Sequence, residues 1–259
     1  MRINQYISHN SKYSRREADA LIKEAKVKIN HKIATLSDKV ASSDKVFING
    51  NILKPKDSTK YTIIAYNKPK GEIVSKKDPR GRRVIYDGLD SKFSHFIPIG
   101  RLDYASDGLL LLSDSPKIAN ILMESKLTRI YNLKLDSKPN QKVFEAMSEG
   151  LKLENARAGG HKNSKITSME FAPFEFFELI KEAKNYTKIK VGINEGKNRE
   201  LRRFFAHFGI NVLDLKRVGY GFVSLNALPS GRNRYLSKKE YNALHKFLKE
   251  MEDKNASRN

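Results

Sequence analysis

The chain has no cysteine in its 259 residues. That absence removes disulfides, thiolate nucleophiles and cysteine-ligated zinc together, and it suits a reducing compartment. Histidine is sparse: the six, at positions 9, 31, 95, 161, 207 and 245, show no metal-ligand spacing. There is no glycine-rich loop ending in Gly-Lys-Ser/Thr to cradle phosphates, so ATP or GTP hydrolysis is not indicated. No Ser-His-Asp arrangement and no pair of carboxylates suited to a metal clamp stands out. The densest apolar run, Leu109 to Leu112, is far too short for a membrane span, and residues 1–10 lack a signal-peptide core. A cytoplasmic protein without a membrane partner is the expectation.

Negative charge is also in short supply. Lys and Arg number 50 against 29 Asp and Glu, a formal net charge of +21. Such an excess suits a polyanion, because each neutralised phosphate releases condensed counterions whatever the sequence. Hydrophobic residues still make up 39%, enough for a core.

Residues 1–54 read as a small basic module. Ile3, Tyr6 and Ile7 fall at helical spacing. Ser14 and Glu17 form a capping-box pattern that opens a second helix, with Ala18, Leu21, Ile22 and Ala25 on one face. Arg15, Arg16, Lys23 and Lys26 lie off that face. Short β pieces follow at 27–30 and, around Gly50, at 45–49 and 51–53. The polar stretch 55–60 reads as a linker. From Tyr61, strands are expected at 61–67, 96–99, 108–113, 130–136, 174–181, 186–193 and 211–217. Helices are expected at 116–124, with Ser115 as cap and Pro116 at the first position, at 140–149, at 198–208, and at 237–249, where Ser237 and Glu240 form another capping box. The rhythm is not βαβ, so residues 61–252 read as an α+β domain on a mixed, mostly antiparallel sheet flanked by helices, followed by a disordered tail at 253–259.

Three segments carry chemistry. In Gly100-Arg-Leu-Asp103-Tyr-Ala-Ser-Asp-Gly108 a polar loop joins two strands and holds Asp103 between glycines that permit sharp turns. By its residues alone, Asp103 suits a turn cap as well as a reactive carboxylate. In the 198–208 helix Leu201, Phe204, Phe205 and Phe208 form the core stripe, leaving Arg199, Arg202 and Arg203 on a face free to meet an anion. In Arg129-Ile-Tyr131-Asn-Leu-Lys-Leu135, Tyr131, Leu133 and Leu135 alternate inward, and Tyr131 reads by default as a core residue.

At these segments the sequence resembles the pseudouridine synthases of the small group that carries an S4 RNA-binding module and acts on ribosomal RNA. Gly100-Arg-Leu-Asp103 followed by Ser106-Asp-Gly-Leu-Leu-Leu-Leu112 is similar to that group's catalytic motif. Ser14-Arg-Arg-Glu17 and Val27-Lys-Ile-Asn30 resemble its S4 module. Asn67-Lys-Pro-Lys-Gly71, Asp78-Pro-Arg-Gly-Arg82 and Glu195-Gly-Lys-Asn-Arg-Glu-Leu-Arg-Arg203 match further segments, in the expected order, across about 1–248. Ser106 stands where threonine is usual, which keeps the hydroxyl.

The resemblance implies a pseudouridine synthase fold and site-specific isomerisation of uridine in ribosomal RNA. The likeness of Asp78–Arg82 and Lys32–Leu36 points to large-subunit (23S) members. Asp103 would be the nucleophile, attacking the uracil ring or the ribose anomeric carbon. Tyr131 would pack on the target base and assist proton removal from C5, and Arg202 would pair with Asp103 and hold it as the anion. Arg101 would fill the gap left by the extruded uridine. Arg15, Arg16, Lys23, Lys68, Arg199 and Arg203 would contact RNA, and the Leu109–Leu112 strand would wall the pocket. No metal, nucleotide or other cofactor is implied, and a monomer is expected. The rival readings are a non-catalytic ribosomal RNA-binding or assembly factor and a metal-dependent nuclease.

Overall fold

In the computed structural model, which describes residues 1–11, 13–55, 60–161 and 163–256, the basic N-terminal segment folds around its own core. Helices α1 (Ile3–Asn10) and α2 (Arg15–Lys23) pack on a four-stranded sheet of β1 (Val27–Ile29), β2 (Lys32–Ile33), β3 (Val46–Ile48) and β4 (Asn51–Ile52), ordered β2-β1-β3-β4. The capping box forms as the sequence suggests: Glu17 N donates to Ser14 Oγ, and Ser14 N to the Glu17 carboxylate. Ile3, Ile7, Ala18 and Ile22 face inward, and Arg15, Arg16 and Lys23 stand exposed on the other side. Ala25 is exposed, beyond the end of α2, in a left-handed conformation. Most of the segment read as a linker, 56–59, lies outside the described residues.

The second unit is built on a nine-stranded sheet. Its strands include β5 (Ile63–Lys68), β6 (Ile97–Ile99), β7 (Asp107–Ser113) and β8 (Arg129–Leu135). After a separate two-stranded ribbon of β9 (Leu151–Leu153) and β10 (Met169–Phe171) come β11 (Phe176–Ala183), β12 (Tyr186–Ile193), β13 (Val212–Tyr220), β14 (Val223–Ser224) and β15 (Asn233–Tyr235). The order is β11-β12-β8-β13-β7-β5-β15, with β14 on β13 and β6 on β7. Only β13 and β7 run parallel, so the sheet is mixed and mostly antiparallel.

Helices cover both faces. On one, α4 (Gln141–Glu149) and α5 (Glu200–His207) bring Val143, Met147, Phe204 and Phe205 against Ile64, Leu110, Leu112 and Leu133. On the other, α3 (Pro116–Glu124) and α6 (Lys238–Ala256) bring Ile118, Leu122 and Leu244 against Ile63, Leu109 and Leu111. The unbroken Leu109–Leu112 run is thus a central strand buried on both faces, for which alternation would be wrong. Ser115 caps α3 ahead of Pro116, and Ser237 with Glu240 closes a capping box on α6. α6 continues through Ala256, into the segment expected to be a disordered tail.

Candidate active site

The loop between β6 and β7 is held at both ends. Gly100 (φ 75°) and Gly108 (φ 103°) take left-handed conformations. At Gly108 a Cβ would sit 2.2 Å from the Arg217 carbonyl oxygen, because β7 and β13 pair there in close parallel contact. Leu102 and Ser106 are buried and anchor the middle of the loop.

Lys68 supplies the brace. Its side chain was expected on RNA; instead it is fully buried at the end of β5. The ammonium donates to the carbonyls of Pro69 (2.9 Å), Asp103 (3.2 Å) and Ser106 (2.9 Å). Burial pushes its pKa down to about 8, partly offset by the carboxylates of Glu72, Asp107 and Asp103. With Ser106 N donating to the Asp103 carbonyl and Gly71 N to that of Tyr104, the loop backbone is fixed without the Asp103 side chain. Among the described residues that carboxylate accepts no backbone N–H, so it does not cap the turn. Among the described residues its one ion pair is with Arg199, whose Nη1 lies 3.5 Å from Oδ2, and its side chain keeps 37% exposure.

Arg199, not Arg202, is therefore the partner of Asp103. Arg199 sits at the N-cap of α5 in a left-handed conformation (φ 52°), and its Nε donates to Gly159 O at 2.7 Å, which aims the guanidinium back across the site. One turn on, Arg202 is committed elsewhere: Nη1 donates to Val212 O at 2.7 Å, and Nη2 reaches Ala105 O and Ser106 Oγ at 3.5 Å. Burial, and secondarily the Arg199 charge, lower its pKa from the ordinary arginine value, while Asp103 acts the other way. Arg202 thus ties α5 to the loop without pairing with the carboxylate.

Arg203 departs furthest from expectation. It is fully buried, donating to the carbonyls of Ala156 and Asn198 and to Ser164 Oγ. The cation is satisfied by backbone dipoles inside the fold and has no surface to offer RNA. Arg101 is exposed and lines the pocket.

In front of Asp103 opens a pocket of about 500 Å³, a size suited to a nucleoside-scale ligand. Tyr131 lines it from β8, 7% exposed, with Val74, Ile193 and Leu215 as apolar wall. Leu109–Leu112 do not line it, being spent on the two cores. The reading missed Arg129, Arg217 and Tyr220, which also line the pocket. Both arginines are buried, and a buried arginine in a strand has no periodic mark in sequence. Among the described residues no group of three or more potential ligands could hold a metal ion, and no helix is long and apolar enough to cross a membrane.

A loop aspartate, an arginine beside it and a tyrosine-walled pocket thus come together on a sheet that follows a basic module in the chain. Residues 62–207 match the family model described as RNA pseudouridylate synthase, and residues 1–46 match the S4 domain. An uncharacterised RNA pseudouridine synthase of Helicobacter pylori (strain ATCC 700392 / 26695) is 53% identical, covering 96% of this chain and 95% of the relative. The ribosomal large subunit pseudouridine synthase B of Bacillus subtilis (strain 168) is 35% identical over 94% and 95%. The dual-specificity RNA pseudouridine synthase RluF of Escherichia coli (strain K12) is 32% identical over 96% and 79%. A solved pseudouridylate synthase shares the fold, with a TM-score of 0.64 at 24% identity, over 94% of this chain and 99% of that one. The chain belongs to the RNA pseudouridine synthases and is an isomerase of uridine in RNA.

Proposed function

We propose that this enzyme converts a specific uridine of large-subunit (23S) ribosomal RNA to pseudouridine, as a cytoplasmic monomer, with Asp103 as nucleophile. The observation that carries the reading is the state of the Asp103 carboxylate. It stands at the pocket, on a loop braced through its backbone, with a single ion pair and no structural duty of its own. Relatives named for the ribosomal large subunit support ribosomal RNA as the substrate.

In this mechanism Asp103 attacks the extruded nucleotide, at the uracil ring or at the ribose anomeric carbon. The N-glycosidic bond breaks, the uracil turns within the pocket, and a carbon–carbon bond forms from C5 to the anomeric carbon; the bond to Asp103 breaks to return the carboxylate, and the C5 proton, removed with the help of Tyr131, is replaced by one taken up at N1. Arg199 holds the carboxylate in place, Tyr131 packs on the base, and Arg101 fills the gap in the stack. The half-open carboxylate is shielded when the base enters, which strengthens its interaction with Arg199. Arg15, Arg16 and Lys23 add phosphate contacts that contribute toward extrusion, a cost of a few kcal/mol per base.

The test is to incubate 23S ribosomal RNA transcribed in vitro with the protein and map pseudouridine by carbodiimide-blocked primer extension. One new stop is expected. Bound RNA with no stop would reduce the protein to a binding factor on this substrate.

A further inference from the structure

Arg217 lies in the candidate pocket with almost none of its donors used. It is 2% exposed on β13 and is the direct cross-strand partner of Tyr131 on β8. Nε donates to Leu109 O at 2.7 Å, which fixes the side chain, and the guanidinium carbon stands 5.4 Å from the centre of the Tyr220 ring. Among the described residues nothing accepts from Nη2, although that atom is buried. The neighbouring Arg129 differs: it also faces the Tyr220 ring, but its Nη atoms donate to Asn194 O, Met123 O and Tyr220 Oη. Nη1 likewise donates to nothing among the described residues and, unlike Nη2, is not closed off from the pocket that Arg217 lines, so its acceptor is to be sought in whatever fills that pocket.

The neighbours narrow the choice. Tyr131, beside Arg217 on the sheet, is the residue placed against the base, so the free donors meet a base edge rather than a backbone phosphate. Guanidinium has donors only. Uracil offers carbonyl acceptors at C2 and C4, whereas cytosine carries an amino donor at C4. Uracil also has an approximate two-fold axis through N3 and C6. The half-turn that brings C5 to the place of N1 exchanges O2 with O4. A fixed donor that faces one carbonyl before the turn therefore faces the other after it. Cytosine has no such symmetry and would set its amino group against the guanidinium in one of the two orientations.

We propose that Arg217 reads the target base, its free Nη donors binding one uracil carbonyl before rotation and the other after it, and excluding cytosine. The inference rests on the uridine-isomerisation reading above and adds the group that selects the base. It requires RNA stem-loops carrying uridine, 2-thiouridine or 4-thiouridine at the mapped target, with single-turnover conversion followed by mass spectrometry of the digested nucleosides.

Sulfur accepts hydrogen bonds weakly, so the wild-type enzyme should be slowed by either thio substitution, by about tenfold or more. Arg217→Met should convert uridine about 10- to 100-fold more slowly than wild type, with both thio penalties falling to within about twofold. Arg217→Lys, which keeps a donor, should recover part of the uridine rate. Thermal melts establish that each variant is folded; should Arg217→Met not fold, the wild-type thio series and the Arg217→Lys variant decide the matter. Thio substitutions without effect in the wild type, or penalties equally large in a folded Arg217→Met, overturn the proposal. A wild-type enzyme that converts no uridine refutes the underlying isomerisation reading instead.

Discussion

Lys68 and Asp103 are joined through the backbone: the buried Lys68 ammonium donates to the Asp103 carbonyl at 3.2 Å and leaves the Asp103 carboxylate to Arg199. The same ammonium reaches Ser106 O at 2.9 Å, so one cation holds both ends of the reactive turn. Lys68→Met should fold but release that turn. Misplacement of a reacting group by about 1 Å costs on the order of 10²-fold, so the rate should fall by about that much while RNA affinity stays near wild type. Single-turnover rates and filter binding separate the two, and an equal loss in both would make Lys68 an RNA contact.

The lowered pKa of Lys68, about 8, gives a pH dependence. Below that value the ammonium has a proton for each of three carbonyls; above it the amine has only two. The rate should fall as pH rises through about 8, and this basic limb should be missing in Lys68→Met. The stability linkage has the opposite sign. An unfolded lysine titrates near ~10.4, so burying the charged form costs stability below about 8, and the cost is relieved between there and ~10.4. A rate profile flat from pH 7 to 9 would remove Lys68 from the account.

Arg199→Met and Arg202→Met should separate two arginines only one helical turn apart. Removing the ion-pair partner of Asp103 should lower the rate by about 10²-fold with little change in affinity. Arg202→Met should act chiefly on stability, since its bonds tie α5 to Val212, Ala105 and Ser106. A larger rate loss in the folded Arg202 variant would restore Arg202 as the partner of Asp103.

Arg203→Ala should cost stability rather than RNA binding. It strips donors from two backbone carbonyls and Ser164 and leaves a void beneath α5. The expected loss is about 3 kcal/mol, read by urea denaturation. Unchanged stability with weakened RNA binding would return Arg203 to the surface role first expected of it.

Much of the framework was legible because it follows local rules. Ser115-Pro116 and the Ser14/Glu17 and Ser237/Glu240 pairs marked three helix starts, and inward alternation from Tyr131 to Leu135 gave β8. β2, β9, β10, β14 and β15 were not expected: strands of two or three residues show no period of their own, and none of these has a neighbouring mark such as the Gly50 turn that gave β3 and β4 away. The site was half legible. Asp103, Tyr131 and Arg101 line one pocket. Lys68 and Arg203 were read as surface cations, since sequence does not reveal which carbonyls will turn inward to meet a buried charge. The choice of Arg199 over Arg202 depends on a left-handed N-cap, a backbone state that an arginine does not advertise.

Arg15, Arg16 and Lys23 stand exposed on α2, off its buried face. Replacing all three by Gln should weaken binding to 23S transcripts and flatten the plot of log affinity against log salt. Each lost phosphate contact lowers that slope by roughly 0.7 to 0.9. An unchanged slope would mean that this face of the module does not meet RNA.

The most direct test of the central claim is the conversion of a mapped uridine by Asp103→Asn under single-turnover conditions. The substitution keeps size and polarity and removes only the carboxylate, while the loop stays braced through its backbone by Lys68. With Asp103 as nucleophile, the variant should be a folded protein that binds RNA with near wild-type affinity and forms no detectable pseudouridine. Conversion at a measurable fraction of the wild-type rate would mean that the bond to the nucleotide is made by some other group.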